Sequence, residues 1–131
     1  MTSQQNSSSK PPYYLVVAGG RDFNDFDLLK LEVCKLMWKE LEPYEVVIIS
    51  GECPRGADYW AKLAAQALKL RYMGVPAEWS QHGKAAGPMR NAYMAEHGSG
   101  LLAFWDGESK GTGNMIGEMK RRSKPVRIVE Y

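Results

Sequence analysis

Apolar positions along this chain come in short unbroken blocks, and longer mixed stretches separate the blocks. "YYLVVAG", Tyr13 to Gly19, is the first block. A strand covered on both faces has no polar side, so an unbroken run reads as a parallel-type strand. Gly19-Gly20 ends it. Asn24 or Asp25 is placed to cap a helix whose Leu28, Leu31, Cys34, Met37, Trp38 and Leu41 share one face. Pro43 stops that helix, and "EVVIIS", Glu45 to Ser50, is a second buried-type strand. After the loop Gly51 to Gly56, the spacing of Trp60, Ala61, Ala64, Ala67 and Leu68 predicts a second helix, which Gly74 ends.

"VPAEW", Val75 to Trp79, is a weak third strand with Pro76 at its start. "QHGKAAGP" is a glycine-containing loop, and Pro88 suits the first turn of a helix through about His97. "LLAFWD", Leu101 to Asp106, is the fourth strand. The glycines of "GTG", Gly111 to Gly113, feed a helix to about Arg122, and "VRIVE" after Pro125 is the fifth strand. Five strands alternating with four helices predict one α/β domain, over residues 13–131, built on an open, mostly parallel sheet with right-handed crossovers. In such sheets ligands bind outside the carboxyl ends of the strands, where strand order reverses. The informative glycines fall at those ends.

Composition changes this picture little. The 131 residues are 44% hydrophobic and 24% charged, as expected of a single globular domain. A net charge of +2 does not call for nucleic acid. Cys34 and Cys53 lack metal-type spacing, so no metal or cofactor is expected. Residues 1–12 are polar and serine-rich and end in Pro11-Pro12; they read as a disordered tail with no secretory h-region. With no membrane-length apolar run, the cytosol is the expected compartment.

The candidate chemistry sits in the loops. In "AGGRDF", Gly19 and Gly20 let backbone approach an anion, and Arg21 offers a bidentate clamp; the competing reading pairs Arg21 with Asp22. The pattern lacks the third glycine of the dinucleotide fingerprint. In "SGECPRGAD", Ser50, Gly51 and Arg55 are ligand-facing candidates, and Asp58 either caps a helix or accepts from a ribose hydroxyl. Cys53 works as a nucleophile only if the fold brings a base such as His82 to it. In "HGKAAGPMRN", Lys84 and Arg90 add positive charge, Arg90 on a first helical turn whose amides favour anions, and Asn91 both donates and accepts. In "DGESKGTGNMI", Gly111, Thr112 and Gly113 stand where a helix begins, so unpaired amides there suit one phosphate. The spacing is not that of a nucleoside-triphosphate P-loop. Trp79, Trp105, Tyr59 and Tyr93 read as core or pocket wall.

Taken together, "VVAGGRDF", "ISGECPRGAD", "HGKAAGPMRN" and "GTGNMI" resemble the YspA-like, cpYpsA-related branch of the SLOG superfamily, over about Tyr14 to Val129. The resemblance implies a Rossmann-like three-layer fold and a nucleotide or nucleotide-derived ligand such as ADP-ribose or AMP. It implies a homo-oligomer too, since relatives commonly form dimers or larger assemblies. The superfamily includes phosphoribohydrolases of the LOG type, which cleave a base from ribose 5-phosphate, and the DNA-processing protein DprA. Arg90 resembles the LOG arginine, and Gly111-Thr112 the GT pair of PGGxGTxxE. The glutamate position of that motif holds Met115, which can neither act as acid or base nor stabilise a developing cation by charge. Asp106, Glu108 and Glu118 are the carboxylates left nearby. Binding or sensing of a nucleotide-type molecule is therefore the first expectation. Hydrolysis of an N-glycosidic bond is the second, and single-stranded nucleic-acid binding the third.

Overall fold

The computed structural model describes residues 10–131; the disordered tail expected for residues 1–12 lies, up to residue 9, outside the described residues. Five strands form one sheet: β1 (Pro12–Gly19), β2 (Glu45–Ser50), β3 (Arg71–Gly74), β4 (Gly100–Trp105) and β5 (Val126–Glu130). Their spatial order is β3-β2-β1-β4-β5, and every pairing is parallel. The helices are α1 (Phe26–Lys39), α2 (Ala57–Ala67), the short α3 (Trp79–His82), α4 (Ala86–His97) and α5 (Lys110–Arg121), with a 3₁₀ turn Gly83–Ala85 before α4. This is the single α/β, Rossmann-like domain expected from the alternation of elements.

The alternation of side chains along a strand splits the core in two. Leu15 and Val17 of β1 join Leu29, Val33, Ala57, Ala61 and Ala64 of α1 and α2. Val16 and Ala18, one residue out of phase, join Met94 and Ala95 of α4 and Met115, Ile116 and Met119 of α5. Both faces of the sheet are thus covered, which is why the central strands read as unbroken apolar runs. Each fully buried Leu, Val, Ile or Met among them contributes about 1.5–3 kcal/mol.

Two elements differ from the sequence reading. Helix α2 ends at Ala67, not Gly74, because Lys69 turns into the left-handed region at φ 58°. The released "RYMG" then pairs with the edge of β2, Val47 facing Arg71, as the third strand. Val75 adds one more bond, its amide to Ser50 O at 2.8 Å; Pro76 has no amide to continue, and Trp79 begins α3 instead of ending a strand. On α1 the buried stripe is Leu29, Glu32, Val33 and Leu36; Leu31 and Trp38, expected on the inner face, are exposed. Asp25, rather than Asn24, caps this helix by accepting from the Leu28 amide at 3.0 Å.

Phe104, the penultimate residue of β4, is fully buried, with its ring 4.6 Å from that of Phe23. Phe104→Ala is expected to cost about 3–5 kcal/mol, measured as a shift in the urea midpoint at unchanged slope; a cost under about 1 kcal/mol would contradict the packing described.

Candidate functional site

Strands β2 and β3 lie on one side of β1, and β4 and β5 on the other, so the order in which strands are added across the sheet reverses between β1 and β4. The loops leaving these two strands diverge and open a crevice. A cavity of about 780 Å³ occupies it, walled by the ends of β1, the β2–α2 loop, α3, α4 and the start of α5.

Helix α5 supplies the most distinctive wall. The first amides of any helix lack an acceptor within it. Here Ser109 stands at the N-cap, but its hydroxyl donates to Thr112 Oγ1 at 3.3 Å and caps no amide. Gly113 N already donates to Ser109 O at 3.0 Å. The amides of Lys110, Gly111 and Thr112 have no acceptor among the described residues, and all three residues line the cavity. The loop leading in is braced from both ends. Asp106 Oδ1 accepts from the amides of Glu108 and Ser109, at 2.9 and 2.8 Å, and Trp105 Nε1 donates to Ser109 O at 3.0 Å. Those two amides hold the exposed Asp106 carboxyl below the usual aspartate range.

Asn91 ties α4 to this helix start: its Nδ2 donates to Gly111 O at 3.2 Å and to Asn114 Oδ1 at 2.9 Å. Arg90, beside it, crosses to the other wall. Its Nη1 donates to Gly51 O at 2.6 Å and reaches Val75 O at 3.5 Å, while Nε donates to Asn91 Oδ1 at 3.0 Å. Gly51 is glycine because a Cβ there would collide with the Arg90 guanidinium. Burial lowers the Arg90 pKa, and Asp58 opposes that shift. Asp58, at the start of α2, accepts from Cys53 N at 3.1 Å. Burial raises its pKa, outweighing that bond and the Arg90 charge.

Of the sequence-designated residues, Gly19, Gly20, Arg21, Arg55 and Asp58 line this one cavity, as do Arg90, Asn91, Gly111 and Thr112. Ser50, Gly51, Lys84 and Gly113 do not. Ser50 is fully buried, its hydroxyl 3.0 Å from Tyr72 Oη, which also donates to Glu52. Lys84 is exposed on the 3₁₀ turn, and the Gly113 amide is spent inside α5. The Gly20 amide is spent as well, on Phe104 O at 3.3 Å. Arg90 is not on a first turn: α4 begins four residues earlier than it, at Ala86, so its position comes from the carbonyls it grips. Arg21 and Asp22 form no ion pair; Asp22 Oδ1 instead accepts from Tyr131 Oη at 2.6 Å.

The carboxylates suggested by sequence lie elsewhere. Asp106, Glu108 and Glu118 are outside the lining, and Glu118 pairs with Arg122 at 2.7 Å and Arg121 at 2.6 Å. The lining carboxylates are Asp22 and Asp58, facing four cations: Arg21, Arg55, Arg90 and Lys110. Cys53 lines this cavity, whereas His82 lines a neighbouring one of about 450 Å³, so the two are not paired. Trp79, read from the sequence as core or pocket wall, is a half-exposed wall of this cavity, whereas Trp105, Tyr59 and Tyr93 do not line it. Sequence reasoning missed Lys110 as an amide donor; its position, one residue before the glycines, was the available signal.

The chain matches the YspA, cpYpsA-related SLOG family over residues 14–82. It belongs to that family. Over 90 residues it is 36% identical to the gene 61 protein of Mycobacterium phage D29, covering 64% of this chain and 71% of that one. Its fold is similar to that of a molybdenum cofactor binding protein from the phototrophic bacterium Rippkaea orientalis, with a TM-score of 0.69 at 19% identity, over 93% of this chain and 77% of that one. That likeness concerns the fold. Among the described residues of this SLOG chain, no group of three or more His, Cys, Asp or Glu is placed to hold a metal. No described helix is long and apolar enough to cross a membrane.

The raised Asp58 pKa has a testable sign. The folded protein binds the Asp58 proton more tightly than the unfolded chain, whose value is about 3.9. Between the two values the unfolded chain holds fewer protons, so the contribution to stability falls as pH rises. The unfolding free energy of the protein minus that of Asp58→Asn is therefore expected to be smaller at pH 7 than at pH 3.5, measured by urea titration at both. A difference that grows with pH would show that the Arg90 charge, not burial, dominates.

Proposed function

We propose that this SLOG chain binds or senses a nucleotide or nucleotide-derived small molecule, of the AMP or ADP-ribose kind. The observation that carries the reading is the convergence, in one cavity at the strand-order reversal, of three amides without acceptors and an excess of cations. A helix start favours an anion through its free N–H groups and its dipole. A phosphate seated on the Lys110, Gly111 and Thr112 amides would find Arg90 pre-positioned by Gly51 and Asn91, so little of its side-chain freedom remains to be lost on binding. Ribose hydroxyls suit Asp58 and Asn91, carboxylate and amide groups that line the same cavity.

Gly111 separates this reading from a purely structural one. A Cβ there would meet nothing within 4 Å, so packing does not require glycine. Gly111→Ala is expected to leave the fold intact, or stabilise it by up to about 1 kcal/mol through helix propensity. By placing a methyl where phosphate must approach, it is expected to weaken AMP or ADP-ribose binding at least tenfold. Arg90→Ala should weaken the same ligands about tenfold or more, since it removes a charge-assisted donor. Calorimetric titration checks both, supported by the rise in Tm that a ligand near 100 Kd gives by adding about 2.7 kcal/mol. Unchanged affinity in both variants would contradict the site.

Turnover is the second reading, and the Asp58 carboxyl favours it. A lining carboxyl that holds its proton above the usual range is suited to acid–base work on a glycosidic bond. On this reading the protein releases free base from AMP or ADP-ribose, and Asp58→Asn slows release at least 100-fold. Chromatography of the products measures it; no released base with binding intact eliminates hydrolysis and leaves the binding function.

A further inference from the structure

The cavity has one large aromatic wall. Trp79 is carried on the short helix α3 and is 51% exposed, yet it lines the same cavity as Arg90 and the amides of α5. Its ring lies against α4 at Gly87, where an added Cβ would stand 3.2 Å from Trp79 Cη2. Gly87 therefore admits the indole edge, and the residue remains half exposed at the cavity wall. Three other exposed aromatics differ. Tyr93 stacks on His97 at 4.2 Å outside the cavity, Tyr59 packs edge-on to Trp60 at 5.0 Å, and Trp38 stands on the outer surface of α1.

An indole held at its edge and half exposed at the cavity wall is suited to stack a planar π-system, an interaction that is sequence-tolerant because every base has a π-face. The amides of α5 and Arg90 recognise phosphate but contain nothing that distinguishes a nucleotide from a bare sugar phosphate. We propose that Trp79 is the base-stacking residue of the site and makes the protein selective for base-bearing phosphates over sugar phosphates. This deepens the nucleotide reading above and rests on it.

The test titrates the full chain and its Trp79→Ala and Trp79→Phe variants with AMP and with ribose 5-phosphate by calorimetry. Stacking predicts that Trp79→Ala weakens AMP about tenfold or more, leaves ribose 5-phosphate within about twofold, and that Trp79→Phe regains most of the loss. AMP should also quench tryptophan fluorescence in the parent chain but not in Trp79→Phe, which keeps Trp38, Trp60 and Trp105 as background. Equal weakening of both ligands would make Trp79 a wall of the phosphate site and overturn the proposal. So would ribose 5-phosphate and AMP binding that no Trp79 variant alters, and in that case the phosphate site itself survives. Absence of binding of both ligands to the parent chain overturns the phosphate reading and this proposal together.

Discussion

A helix cannot satisfy its own first amides, and at α5 this shortfall organises the site. The protein has a serine at the N-cap that does not cap, and it spends its bracing on the carbonyl side of the same turn. Asn91 grips Gly111 O, Trp105 grips Ser109 O, and Asp106 draws in the two amides that precede the helix. Each contact fixes where the three remaining N–H groups of Lys110, Gly111 and Thr112 stand, and none consumes them. Holding donors in place before a ligand arrives removes the ordering cost from binding.

The sheet determines what faces those donors. With β1 central and the order reversing beside it, the β1–α1 and β2–α2 loops lie across the crevice from the α5 start. Closeness is demanding there, and most glycines at this edge serve it. Gly56, at φ 78°, lies against the backbone of Gly20 and Arg21, where no side chain fits. Gly51 clears the path of Arg90 to its carbonyl. The glycines that crowd the carboxyl edge in sequence thus divide into packing positions, Gly107, whose φ of 86° calls for glycine, and Gly111, which faces open space with an ordinary helical backbone.

The strands were legible because burial on both faces writes an unbroken apolar run into β1, β2 and β4, and because each run ends in glycine or a polar turn. β3 was misread because its Arg71, Tyr72 and Met73 continue the helical pattern of α2 without interruption; only the left-handed turn at Lys69 separates them, and lysine gives no warning of it. The α1 face was rotated because Glu32 is buried, paired with Lys35 and Arg127, and a charged residue on the inner stripe defeats a count of apolar positions. At the site, the loop residues of three separate segments were readable from glycine and arginine placement. Arg90's grip on Gly51, by contrast, joins residues 39 apart in sequence, and Trp79's position follows from a helix of four residues. Such contacts belong to the folded chain alone.

The central claim is that the Lys110, Gly111 and Thr112 amides receive the phosphate of the ligand. Amide chemical-shift mapping by ¹H–¹⁵N NMR during titration with AMP tests it most directly. The account predicts that these three resonances move together, with the same saturation point as the Arg90 side-chain Nε–H. Saturable binding that leaves these three amides unmoved while others shift would contradict it.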